Sequence, residues 1–297
     1  MTGWLNLIFA KSEGIVFRLP LLLVLALAIA PSCSASFLWV DPTGGTVINF
    51  GAPADNALAI VNAGSFSFPF EGTSYSIFDV SSAGFLWLGG QNGAQSTLLT
   101  TQTSALQYFN NGPARIAPAW MYLDETVGGQ VTYKVINNPD STRSFVLTYL
   151  NVPLDGYSMD ASYYASFQVQ LISTGDIVFS YLNFDSNTLI QSNALIGLTP
   201  AFNSSSQAID LTSLVSGVPV TASSSFYDYL THPNQPSAYL SLLTNQSIVI
   251  RPVQNGWQIG PDINTAEMPE PSTIILSLSA AIALLGVAQK RLYRTKL

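Results

Sequence analysis

The sequence predicts an all-β fold: an antiparallel β-sandwich ectodomain with an N-terminal signal helix and one C-terminal transmembrane helix. Three observations carry this prediction. Period-2 alternation of apolar and polar residues dominates the middle of the chain, and Gly, Asn, Pro and Ser clusters punctuate it at short intervals. No long 3.6-residue periodicity occurs there. Two continuous aliphatic runs, 19–30 and 273–288, sit near the two ends.

The first run, LPLLLVLALAIA, follows Arg18 and leads into Cys33-Ser34-Ala35, with small side chains at the −3 and −1 positions of a cut after Ala35. A charged start, a short apolar stretch and a small-residue exit describe a secretory signal peptide over 1–35, cleaved between Ala35 and Ser36. Twelve helical residues reach only about 18 Å, short of a hydrocarbon core of about 30 Å. Cys33 also allows a lipoprotein reading, although Ala30-Pro31-Ser32 departs from the usual Leu and small residue before such a cysteine. The long lead before Arg18 is consistent with translation starting nearer Val16.

Strands are expected at 46–50, 65–70, 75–80 and 84–88, followed by a short helix at 96–109. Val131 to Val135 and Phe145 to Tyr149 flank the turn-rich Asn137-Asn138-Pro139-Asp140-Ser141. Phe167-Gln168-Val169-Gln170-Leu171 alternates apolar and amide side chains, as a half-buried strand should. Ser173-Thr174-Gly175-Asp176 then turns the chain into a partner strand over 177–184. Further strands are expected at 193–198 and 247–251, and a second short helix at 208–216. The β domain spans 36–254, with 199–244 read as a weakly structured insertion and 255–268 as a spacer.

Composition excludes several functions. The 233 residues of 36–268 carry four basic side chains, Arg115, Lys134, Arg143 and Arg251, against fifteen acidic ones, a net charge of −11. That surface repels anionic polymers, so nucleic acid and anionic lipid are poor partners, whereas a neutral polysaccharide suits it. One His and one Cys remove most metal sites and catalytic triads.

The chemistry that remains is sparse. His232 lies in the weakly patterned region with no identified partner. Asp124, Glu125, Asp155, Asp160, Asp176 and Asp185 could supply the two carboxylates of a secreted polysaccharide hydrolase, the alternative to a non-enzymatic protein. All of them fall at expected turns or strand ends, where acids belong for structural reasons. Asp155 to Asp160 and Asp124-Glu125 offer oxygen ligands for calcium without an EF-hand pattern, so no cofactor is assigned. Tyr157, Tyr163, Tyr164, Phe226, Tyr227, Tyr229 and Tyr239 lie in or beside loops and could stack on a sugar ring. The sequons at Asn203 and Asn245 match the N-glycosylation pattern and are given no functional weight.

The C-terminal 269–297 reads Pro269-Glu270-Pro271, an uncharged helix over 273–288, and a basic tail with Lys290, Arg291, Arg294 and Lys296. The tail belongs on the cytoplasmic side by the positive-inside rule. These three parts in this order resemble a PEP-CTERM sorting signal. The resemblance implies a Gram-negative exported protein, handled by Sec and then by an exosortase-type enzyme, held first at the inner membrane and then placed at the cell surface or in a biofilm or exopolysaccharide matrix.

A second resemblance rests on Phe68-Pro69-Phe70, Tyr75 and Ser81-Ser82-Ala83-Gly84-Phe85-Leu86-Trp87-Leu88, with Ile116-Ala117-Pro118-Ala119-Trp120 and the 167–184 hairpin following in order. This phrase is similar to nidogen-like extracellular domains and implies a surface or matrix interaction module over 66–200. After Trp120 the chain reads Met121-Tyr122-Leu123-Asp124, less acidic than such domains tend to be, which weighs against an ion-dependent role.

Overall fold

The computed structural model describes residues 37–51, 57–90, 102–154, 164–184, 193–200, 204–211, 214, 219–230 and 243–261. The chain divides into two compact units, Met1–Ser34 and Ala35–Leu297, and all described residues belong to the second.

Seventeen strands and one helix form in the order β1 (Thr46–Val47), β2 (Leu58–Asn62), β3 (Phe68–Phe70), β4 (Thr73–Tyr75), β5 (Ile77–Ser81), β6 (Leu86–Leu88), α1 (Gln102–Asn111), β7 (Arg115–Trp120), β8 (Gln130–Asn137), β9 (Arg143–Pro153), β10 (Tyr164–Ile172), β11 (Ile177–Phe184), β12 (Ala194–Thr199), β13 (Gln207–Ala208), β14 (Val220–Ala222), β15 (Phe226–Leu230), β16 (Gln246–Val253) and β17 (Gly256–Pro261) among the described residues. They build an eight-stranded sheet, β1-β8-β9-β10-β11-β16-β17-β14, and a seven-stranded sheet, β13-β15-β12-β7-β6-β5-β2. All pairings are antiparallel except the short β13–β15 contact. The sandwich class expected from the alternation is therefore present.

The alternation decides what lies between the sheets. Phe145, Leu147 and Tyr149 of β9, Phe167, Val169 and Leu171 of β10, and Phe179 and Tyr181 of β11 share one buried cluster with Phe78, Val80, Leu86, Ile116, Ile196 and Leu198 of the other sheet. Two phenols bridge the layers. The Tyr181 hydroxyl donates to the Pro118 carbonyl at 2.7 Å, and the Tyr149 hydroxyl donates to the Ser81 carbonyl. The β3–β4 hairpin adds Phe68 and Phe70 to this core, with Phe70 stacked on Trp257 at 5.6 Å. Its two-residue loop, Glu71-Gly72, has positive φ at both positions, as a type I′ turn requires.

The 167–184 hairpin forms as expected, with Phe167, Val169 and Leu171 paired to Tyr181, Phe179 and Ile177. Its turn closes on Gly175 at φ 99°, with the Gly175 amide donating to the Ile172 carbonyl. The Asn137–Arg143 connection likewise closes the β8–β9 hairpin.

Three expectations need correction. The region 199–244 is not merely an insertion: β15 pairs along its whole length with β12, and β14 pairs with β17. The start of the expected spacer at 255–268 is strand β17, paired with β16 from Ile248 to Val253. The helix expected at 208–216 does not begin where expected: Gln207–Ala208 is a short strand, and among the described residues after it Leu214 sits in a 3₁₀ turn, its amide donating to the Leu211 carbonyl at 3.3 Å. Backbone pairing with distant strands overrides weak local patterning in each case. The helix near 96–109 exists but is placed at Gln102–Asn111.

The two terminal segments, with Ala35, Ser36, Pro269, Glu270, Pro271, Lys290, Arg291, Arg294 and Lys296, lie outside the described residues. Among the described residues no helix is long and apolar enough to cross a membrane.

Candidate functional site

Both faces of the seven-stranded sheet are buried at its central strands β6, β7 and β12. Its outer face carries a second apolar cluster of Ala83, Phe85, Trp87, Ala117, Trp120, Leu195 and Tyr229, covered by Ala105 and Phe109 of α1. This double burial explains why Arg115–Trp120 and Leu86–Leu88 are buried at every position instead of alternating.

At the centre of that cluster is a cation. Arg115 is only 1% exposed. Its guanidinium carbon lies 3.6 Å from the Trp87 ring, 4.2 Å from Trp120, 4.6 Å from Phe85 and 5.9 Å from Phe109. A flat, weakly hydrated guanidinium can stack on several aromatic faces, which a compact ammonium cannot do as well. Its Nη2 donates to the Tyr108 carbonyl of α1 at 3.4 Å. Desolvation holds the Arg115 pKa well below its ordinary value.

Strand register places the neighbours. Asp79 pairs with Trp87, Trp87 with Arg115, and Arg115 with Thr199, making one row across β5, β6, β7 and β12. All four side chains are buried. Among the described residues, Arg115 Nε and Nη1, Trp87 Nε1, Thr199 Oγ1 and the Tyr229 hydroxyl have no hydrogen-bond partner. Buried polar atoms are normally paired, so their concentration in one cluster marks it as the candidate site. Burial also raises the Tyr229 pKa. The arrangement gathers unpaired polar atoms and aromatic faces around one buried guanidinium.

Of the three described acids among those expected from the sequence, Asp124 and Asp176 do structural work. Asp124 Oδ1 accepts from the Thr126 amide at 2.9 Å and from its hydroxyl, and Asp176 accepts from Thr174 at 2.9 Å. Glu125 lies near enough to Tyr149 to help raise that phenol's pKa, after desolvation. No group of three or more His, Cys, Asp or Glu gathers among the described residues. Of the aromatic candidates, Phe226 is a core residue, Tyr229 faces the Arg115 cluster with Tyr227 packed beside it, and Tyr164 starts β10. Asp155, Asp160, Asp185, Tyr157, Tyr163, Tyr239 and His232 lie outside the described residues.

Sequence reading missed Arg115. Its signal was available: one of four bases in the body, it sits in Ala114-Arg115-Ile116-Ala117, where an isolated charge in an apolar run must be paired or stacked.

Fold and site together define a β-sandwich domain with a buried aromatic-arginine cluster. The family model described as NIDO related matches residues 32–240, and the chain belongs to that nidogen-related family. No curated protein and no solved structure matches the chain.

Proposed function

We propose that this is an exported, non-enzymatic cell-envelope or extracellular-matrix protein, delivered by Sec and sorted by an exosortase-type enzyme. The nidogen-related match over 32–240 carries the reading, because it covers nearly the whole β domain and is a kinship of extracellular type. The flanking segments supply the address: a signal peptide cut between Ala35 and Ser36, then Pro269-Glu270-Pro271, an apolar helix and the basic tail. The use of Asp124 and Asp176 within turns weighs against those two acids as a hydrolase's carboxylate pair. A neutral polysaccharide is the partner that suits the acidic, lysine-poor body.

Changing Pro269, Glu270 and Pro271 together to Ala tests the address. The variant should insert normally and accumulate uncut in the inner-membrane fraction. Processing and release at the wild-type level would leave a plain membrane anchor as the better description.

A further inference from the structure

The outer face of the eight-stranded sheet is not the solvated surface that its alternation suggests. Thr132, Thr148, Gln168, Ser180 and Ser247 are successive partners across β8, β9, β10, β11 and β16, forming one polar row perpendicular to the strands. Their exposures are 6%, 2%, 0%, 0% and 2%. What buries them is the extended segment that precedes β1.

This segment makes no strand pairing. Side chains of the row grip its backbone. The Leu38 amide donates to Ser247 Oγ at 2.8 Å, and the Leu38 carbonyl accepts from Ser180 Oγ and Gln170 Nε2, each at 2.8 Å. The Val40 amide donates to Gln168 Oε1 at 3.0 Å, and the Val40 carbonyl accepts from Gln168 Nε2 at 2.9 Å. Gln168 Nε2 also donates to Thr148 Oγ1, and Ser180 and Ser247 share a hydrogen bond, so the row is internally ordered. Where the segment leaves, a Cβ on Gly45 would sit 3.3 Å from the Thr132 Cβ, so a residue without a side chain crosses that end.

We propose that this row is a groove for an extended polypeptide backbone, and that the 37–41 strap of a second copy of this chain can occupy it in place of the chain's own. Recognition is of amides and carbonyls at alternate residues, so any strap of this sequence makes the same bonds whichever copy supplies it. The tether is slight: Pro42-Thr43-Gly44-Gly45, with Gly44 at φ 77°, leads to a β1 of two exposed residues. The strap precedes every described strand, so exchange threads nothing through a sheet. The tether is short and turned, the Gly45 amide donating to the Pro42 carbonyl at 3.0 Å and Lys134 Nζ to the Asp41 and Thr43 carbonyls. The chain's own strap is thus held at an effective concentration on the order of 1 mM or more, and exchange needs crowding of at least that order. On the proposed envelope or matrix location, that crowding is available.

The test uses the full chain in detergent with Cys33→Ser, so that single labels can be placed. One batch carries a donor dye at Asp41→Cys, the other an acceptor at Val253→Cys, both exposed positions. After annealing in low denaturant, energy transfer between copies should rise with protein concentration up to about 1 mM. An excess of the synthetic peptide 36–45 should reduce it at least tenfold, and Gln168→Ala on the acceptor copy should remove most of it. Absence of transfer across that range, or transfer that the peptide leaves unchanged, would overturn the proposal. The peptide arm needs no destabilised variant, and neither arm depends on how the protein is sorted.

Discussion

Asp228 gives the sharpest quantitative prediction. It lies on β15 between Phe226 and Leu230, is 8% exposed, and accepts from the Leu211 amide at 2.9 Å. Desolvation, with a smaller contribution from the charge of Asp210, raises its pKa from 3.8 to about 6, against the lowering effect of hydrogen bonds from the Leu211 and Tyr229 amides. The phenol of Tyr181 is the other titratable group that feels this charge, and its own pKa is pushed up, mainly by burial. The folded protein therefore holds the Asp228 proton more tightly than the unfolded chain. Its contribution to stability is greatest below pH 3.8 and falls as pH rises through about 6. At about 1.4 kcal/mol for each tenfold change in proton affinity, charging this side chain costs on the order of 3 kcal/mol at pH 8.

Asp228→Asn keeps an oxygen for the Leu211 amide and removes the charge. Urea unfolding at pH 4 and pH 8 should show the variant gaining about 2 to 3 kcal/mol over wild type at pH 8 and little at pH 4. Asp41 and Asp140 do not mask this window. Threonine donors lower both pKa values below 3.8, so the stability those acids add is lost only at still lower pH. A variant no more stable than wild type at pH 8, or equally stabilised at both pH values, would refute the assignment.

Five further substitutions address the layers. Tyr181→Phe should cost about 1 to 3 kcal/mol in urea unfolding, and Tyr149→Phe less, because the Ser81 carbonyl keeps the Gly84 amide at 3.3 Å while Pro118 sits where the β7–β12 register shifts; a larger loss for Tyr149→Phe would reverse that account. Gly84→Ala should lower stability by about 3 kcal/mol or more, since φ is 84° and the added Cβ would lie 2.1 Å from the Ala119 carbonyl oxygen; a thermal melt unchanged within a degree would contradict it. Arg115→Lys should be less stable than Arg115→Met, by about 1 to 2 kcal/mol, because a buried ammonium loses more hydration and stacks less well on Trp87 and Trp120 than the guanidinium does. A lysine variant as stable as the methionine one would mean that charge, not stacking, is what the cluster requires.

The chain's own alternation was enough to determine the strands that line the inter-sheet core. Phe167, Val169 and Leu171 face inward because a strand of period 2 presents one face to the core, and Ser173 to Asp176 can only close the hairpin that returns through Phe179 and Tyr181. Acids at turns were also legible, because Asp124 and Asp176 bond to threonines two residues away. Alternation specifies two faces but not what covers them. Gln168 and Gln170 read as outward, solvated amides; only the fold shows that residues 38 and 40, some 130 positions earlier, lie across them. The Arg115 cluster was hidden for the same reason. Register between strands far apart in sequence brings Asp79, Trp87, Arg115 and Thr199 of β5, β6, β7 and β12 into one row, to which α1 and β15 add Phe109 and Tyr229. The weakly patterned β15 and β17 take their form from the strands they pair with: backbone hydrogen bonding to a neighbouring strand requires little of the sequence that joins it.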